Sequence, residues 1–105
     1  MNPQFKKGVL QLVVLKTISE KDLYGYELVT KINEVIDVNE GTIYPLLKRL
    51  LNECLLESYL KESKEGPPRK YYHITDLGKK TYAELYEEWI TFSHNVNAYL
   101  KGERL

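Results

Sequence analysis

At 105 residues the chain is long enough for one domain, and a monomer of that size buries only about two-thirds of the surface its extended form exposes, which leaves room for a core shared with a partner. Fifteen Lys and Arg against fifteen Asp and Glu exclude the whole-molecule field of a strongly basic nucleic-acid binder, so any basic footprint must be local. One cysteine and two histidines, without paired spacing, exclude an internal disulfide and a zinc-type cluster, so no cofactor is expected.

The N-terminal MNPQFKKGVLQLVVLK sets two lysines before an apolar run. The run is short, broken by Gln11 and closed by Lys16 without a small-residue cleavage site, so it reads as a buried helix and not as a signal peptide. Phe5, Val9, Leu12 and Val13 trace one side of that helix, while Leu10, Val14, Leu15 and Ile18 cover much of the rest. A helix apolar nearly all round must be buried on two sides, which hints at a second subunit. No segment approaches the roughly 20 apolar residues of a membrane span. A soluble, cytoplasmic protein without membrane contact is expected.

YGYELVTKINEVI carries Leu28, Val29, Ile32, Val35 and Ile36 at helical spacing, and the breaker-like DVNEG follows. The next helix starts between Asn39 and Thr42, both possible N-caps, with Pro45 in an imperfect early turn. Ile43, Leu46, Leu47, Leu50 and Leu51 form its core stripe; Tyr44, Lys48 and Arg49 point elsewhere. Two helices joined this way fit a helix-turn-helix, an outline many helical hairpins share.

After Cys54 the period changes to two. LLESYLKES and RKYYHIT read as two strands joined by a KEGPP loop, the wing of a winged helix. Thr75 can cap a last helix from about Asp76 to Leu100, about 37 Å long. Along it Tyr82, Leu85, Trp89, Phe92, Val96 and Tyr99 recur at intervals of 3, 4, 3, 4 and 3, a coiled-coil seam. Tyr86, Ile90, Ser93 and Leu100 widen that face. The fold class is thus mostly α with a two-stranded wing (α+β). Residues 1–75 make a winged helix-turn-helix, and residues 76–105 a C-terminal dimerisation helix in the same compact unit.

The chemistry concentrates in the wing and the helix before it. Lys61, Lys64, Arg69 and Lys70 outnumber Glu62 and Glu65, and at the tip of a stiffened hairpin such cations can follow a phosphate backbone. Thr42 and Tyr44 lie in the first turns of the reading helix, where hydroxyls reach phosphates or base edges, and Lys48 follows Tyr44 by one turn.

YGYEL at 24–28, GTIYPLLKRL at 41–50, GPPRKYYHIT at 66–75 and LGKK at 77–80 together resemble the PadR-type transcriptional regulators over almost the whole chain. The single long C-terminal helix is similar to that of the smaller subfamily, which includes multidrug-sensing repressors. The resemblance implies a homodimeric repressor that binds a palindromic double-stranded DNA operator, relieved by a small aromatic or cationic ligand at the dimer interface. Residues matching the DNA-approaching region are Tyr24, Thr42, Tyr44 and Lys48, with Lys64, Gly66, Arg69 and Lys70 in the wing, and Arg49 is expected at the DNA beside Lys48. Trp89 matches a ligand-stacking tryptophan, with Tyr86, Phe92 and Ser93 beside it. The dimer interface would comprise Phe5, Val9, Leu12, Tyr82, Leu85, Trp89, Phe92, Val96 and Tyr99. Cys54 stands where relatives usually end the reading helix with glycine, at a cost on the order of 1 kcal/mol.

Plainer readings stand beside these. A tryptophan in a heptad seam usually packs, so Trp89 reads equally as dimer packing, in a repressor with no inducer. The wing cations could belong to a solvated hairpin or to a winged-helix adaptor that binds protein. His73 and His94 read as structural histidines, and Cys54, in an apolar setting, as unreactive. The sequence offers no nucleophile with a base, no metal cluster and no phosphate loop, so an enzyme is not expected.

Overall fold

The computed structural model describes residues 3–103, with side chains from residue 8 onward. The elements run α1 (Pro3–Glu20), β1 (Leu23–Tyr24), α2 (Gly25–Asn33), α3 (Glu40–Asn52), β2 (Leu56–Ser63), β3 (Gly66–Ile74) and α4 (Asp76–Leu100). The architecture is the winged helix-turn-helix with a long C-terminal helix expected from the sequence. One addition is β1, which turns the two-stranded wing into a three-stranded antiparallel sheet of order β1-β3-β2.

Leu10, Val14, Leu15 and Ile18 of α1 are fully buried against Leu28 and Ile32 of α2 and Ile43, Leu47 and Leu50 of α3, while Leu23, Leu56, Tyr72 and Ile74 close the core from the sheet. The second apolar side of α1 is only half covered, at Val9, Leu12 and Val13. Phe5 lies outside the described side chains. Val35, expected in the α2 stripe, is 71% exposed because the helix ends at Asn33. There the Asn33 side chain donates to the Val29 carbonyl (2.9 Å) and accepts from the Val38 amide (3.1 Å), which fixes the turn into α3.

Asn39 is the N-cap of α3, its side chain accepting from the Thr42 amide at 3.1 Å. Pro45 lies beyond the first turn and cannot donate to the Gly41 carbonyl; both residues are exposed, so water can serve that oxygen. The helix ends in a Schellman motif. The Leu55 amide donates to the Leu50 carbonyl and the Cys54 amide to the Leu51 carbonyl, each at 3.0 Å, with Cys54 in the left-handed region at φ 62°. Cys54 is exposed, which corrects the apolar setting expected for it: the turn directs Leu55 inward and the thiol out.

The hairpin is tighter than expected. Lys64 and Glu65 alone form the turn, and Pro67 and Pro68 fall inside β3. Lys61 pairs with Arg69 and Ser63 with Gly66, so Glu62 alone faces both prolines across a bulge. That is where a strand tolerates residues without an amide donor.

Thr75 caps α4, its hydroxyl accepting from the Gly78 amide at 2.9 Å while donating to the Cys54 carbonyl at 2.7 Å. Gly78 is packed so closely on the Leu55 carbonyl and on Ile74 that a side chain there would overlap both. The start of α4 is therefore bolted to the end of α3. Along its 25 residues only Gly78 and Ala98 are fully buried, and the molecule measures 57 × 27 × 20 Å.

Candidate nucleic-acid interface

The wing presents an ordered outer face. Tyr24 of β1, Tyr71 of β3 and Tyr59 of β2 stand opposite one another across the three strands. Tyr59 and Tyr71 stack at 5.7 Å between centroids, and Tyr24 meets Tyr71 edge-on at 5.5 Å. One row toward the tip, Arg69 and Lys61 face each other. The Arg69 guanidinium lies 4.5 Å from the Tyr24 centroid and the Lys61 ammonium 5.2 Å from that of Tyr71, distances at which a cation is attracted to the ring face. One row inward, the Asp22 carboxylate accepts from Tyr59 Oη (2.6 Å) and lies 2.8 Å from His73 Nδ1, with Glu57 4.0 Å from His73 Nε2. Burial pushes the Asp22 carboxyl up, but the Tyr59 and His73 hydrogen bonds and the charge on His73 outweigh it and hold the group below its ordinary value. The Tyr59 hydroxyl is pushed up to about 12, first by its bond to Asp22 and then by burial.

On the opposite face Tyr72 enters the core, and Lys70 lies 5.6 Å over its ring. Where the two faces meet α2 and α3, a hollow of about 290 Å³ is lined by Tyr24, Gly25, Tyr26, Tyr44, Arg69, Lys70 and Tyr72. Tyr44 is held there because Gly25 lacks a side chain: a Cβ would stand 2.8 Å from its hydroxyl. Four of the nine residues expected at the DNA thus converge in one place. Lys48, Lys64 and Gly66 are exposed and lie outside that lining.

Thr42 and Arg49 lie elsewhere. They line a separate hollow with Leu10, Pro45 and Leu46, between α1 and α3. Arg49 is engaged there by Glu53 at 3.0 Å and by the Gln11 side-chain oxygen at 2.8 Å. Tyr26, 67% exposed beside Arg69 and Lys70, lines the same hollow and was not among the expected residues. Its place next to Tyr24 in YGYEL was the available signal. Asp22 was missed as well, because its partners lie 37 and 51 residues away.

The residues expected at a ligand site divide too. Trp89 and Phe92 line an open groove of about 490 Å³ with Gly8, Val9, Leu12, Leu85 and Glu88, between α1 and α4. Tyr86 stacks on Tyr82 at 6.1 Å and Ser93 donates to the Ile90 carbonyl, both outside that lining. Of the expected dimer seam, Tyr82 and Leu85 pack on the chain's own core. Phe92, Val96 and Tyr99 are exposed, as are Ile90 and Leu100 beside them.

A helix pair whose second member is flanked by a cation-bearing wing defines the winged-helix class. The chain belongs to the PadR-like family of transcriptional regulators, whose sequence profile matches residues 14–84. Among solved structures it is similar to a PadR-like transcriptional regulator from Bacillus cereus, with 49% identity, 95% of this chain and 99% of that one covered, and a TM-score of 0.86. A PadR family regulator from Clostridium difficile is 32% identical, over 86% of this chain and 96% of the other, with a TM-score of 0.79. In sequence it is 35% identical to an uncharacterised protein of Lysinibacillus sphaericus, over 91% of this chain and 92% of the relative. It is 30% identical to an Escherichia coli transcriptional regulator, of which it spans about half the length. No helix among the described residues is long and apolar enough to cross a membrane.

Proposed function

We propose that the chain is a cytoplasmic homodimeric repressor in which residues 1–75 bind DNA and residues 76–105 join the two copies. The observation that carries the DNA half is the hollow in which Tyr44 of α3 meets Arg69 and Lys70 of the wing beside Tyr24. The Tyr44 hydroxyl and the Arg69 and Lys70 cations, supplied from α3 and β3, fit a groove edge and its phosphates. Lys48, one turn after Tyr44, extends the same reading edge. A twofold dimer would set two α3 helices about 34 Å apart on a palindromic operator. The apolar groove beside Trp89, with Glu88 on its wall, suits a flat aromatic or cationic inducer that favours one dimer arrangement over another.

The deciding experiment is a gel shift on the DNA upstream of the protein's own gene, across a salt series. Lys48→Ala and Arg69→Ala are each expected to weaken binding and to lower the salt slope by about one. Binding that ignores both substitutions removes the site, and no shift even at low salt favours a protein-binding adaptor. Quenching of Trp89, the only tryptophan, by planar dyes tests the inducer; an unquenched Trp89 leaves a repressor without one.

A further inference from the structure

We infer that Tyr24 is a positioning residue, which serves DNA binding through Arg69 and not by touching the nucleic acid itself. The inference rests on the DNA-binding reading above. It starts from how the Tyr24 ring is occupied. Arg69 stands 4.5 Å from its centroid and Tyr71 meets it at 63° from 5.5 Å, so cation and neighbouring tyrosine both claim it. The β1 strand that carries Tyr24 is two residues long and pairs with β3 only at Tyr71 and Tyr72. At the level of Arg69, β3 has no strand on that side, and the only strand opposite is β2, through Lys61. The guanidinium therefore lies beyond the end of the ladder on the β1 side. There the ring of Tyr24 supports it.

The support behind Tyr24 is continuous. Tyr71 is stacked on Tyr59, Tyr59 donates to Asp22, and Asp22 immediately precedes β1. The row forms a closed brace from the root of β1 across the sheet and back, each member in contact with the next. A long arginine side chain loses rotamer freedom on meeting a phosphate. A ring that holds it beforehand removes part of that loss, so affinity gains without any new contact to DNA. Lys61 over Tyr71 repeats the arrangement one strand away.

The test separates ring from hydroxyl. Tyr24→Phe is expected to lose far less operator affinity than Tyr24→Leu, because the ring face remains. Tyr24→Leu is expected to weaken binding about threefold or more while leaving the salt slope nearly unchanged, since Arg69 still reaches its phosphate. Combined with Arg69→Ala, it should cost nothing further. A trifluorinated phenylalanine at position 24 keeps the shape while draining the ring's negative face, so it should weaken binding even if Tyr24→Leu fails to fold. Loss of binding in Tyr24→Phe equal to that in Tyr24→Leu would mean a hydroxyl contact to DNA and overturns the inference. A fluorinated ring that binds normally overturns it as well. Either result, alongside a weakened Arg69→Ala, leaves the DNA site standing; an Arg69→Ala protein that binds normally sinks the wing assignment itself.

Discussion

Cys54 occupies a backbone conformation that side chains resist. At φ 62° it holds the left-handed position of the Schellman turn that ends α3, and the same turn at the end of α4 is filled by Gly102 at φ 82°. A β-carbon there costs about 1 to 2 kcal/mol, partly offset by the larger freedom glycine has when unfolded. Cys54→Gly is therefore expected to stabilise the protein by about 0.5 to 1 kcal/mol, read as a rise of a few degrees in melting temperature at fixed protein concentration. Asp22 supplies a second residue-scale test. Its folded value lies below the ordinary 3.8, so on acidification the unfolded chain takes up the proton first. The stabilisation is complete above about pH 5 and is lost as pH falls through the folded value. Asp22→Ala should flatten the fall of melting temperature below about pH 5. It should also bring one tyrosine of the nine back from about 12 toward 10.0 in an alkaline absorbance titration.

At the scale of elements, α4 meets α3 without a spacer. Gly78 lies in the first turn of α4 with the Leu55 carbonyl where a side chain would be. Backbone on one side and a buried isoleucine on the other can yield little, so Gly78→Ala is expected to cost about 2 to 3 kcal/mol in denaturant or thermal unfolding. The helices were readable in advance because each carries its own periodicity and cap: Asn39 and Thr75 act as expected, and the stripes of α3 and α1 are buried in the main. The two-residue β1 was not readable, since a strand that short has no alternation to detect; it exists because Tyr71 and Tyr72 offer it a ladder. The prolines misled in the other direction. Pro67 and Pro68 look like loop residues, yet a bulge opposite Glu62 accommodates them within β3. Among the candidate site residues, Tyr24, Tyr44, Arg69 and Lys70 were legible as a set in that they line one hollow. The separate position of Arg49 was not, because Gln11, its partner on α1, is 38 residues away.

At the scale of the whole molecule, the outer two-thirds of α4 carries an apolar face largely without cover. Phe92 is 58% exposed, Tyr99 75% and Leu100 74%, and Ile90 and Val96 are exposed as well. Side chains of this size each gain about 1.5 to 3 kcal/mol on full burial, and a contiguous patch of them on a small protein marks an interaction surface. Sedimentation at micromolar concentration is expected to give twice the 12.3 kDa chain mass. Phe92→Glu should shift it toward the single-chain mass and weaken operator binding in the same preparation. A single-chain mass for the unaltered protein would remove the dimer.

The bolt between α3 and α4 has a mechanical corollary. Because the Thr75 hydroxyl is shared between the Cys54 carbonyl and the Gly78 amide, no slack segment separates the far end of α4 from the reading helix. Displacing that end by about 3 Å, over a rod of about 37 Å, corresponds to turning its foot through about 5°. The helix is thus built as a crank, in which a ring wedged at one end would arrive at the other as a change of aim.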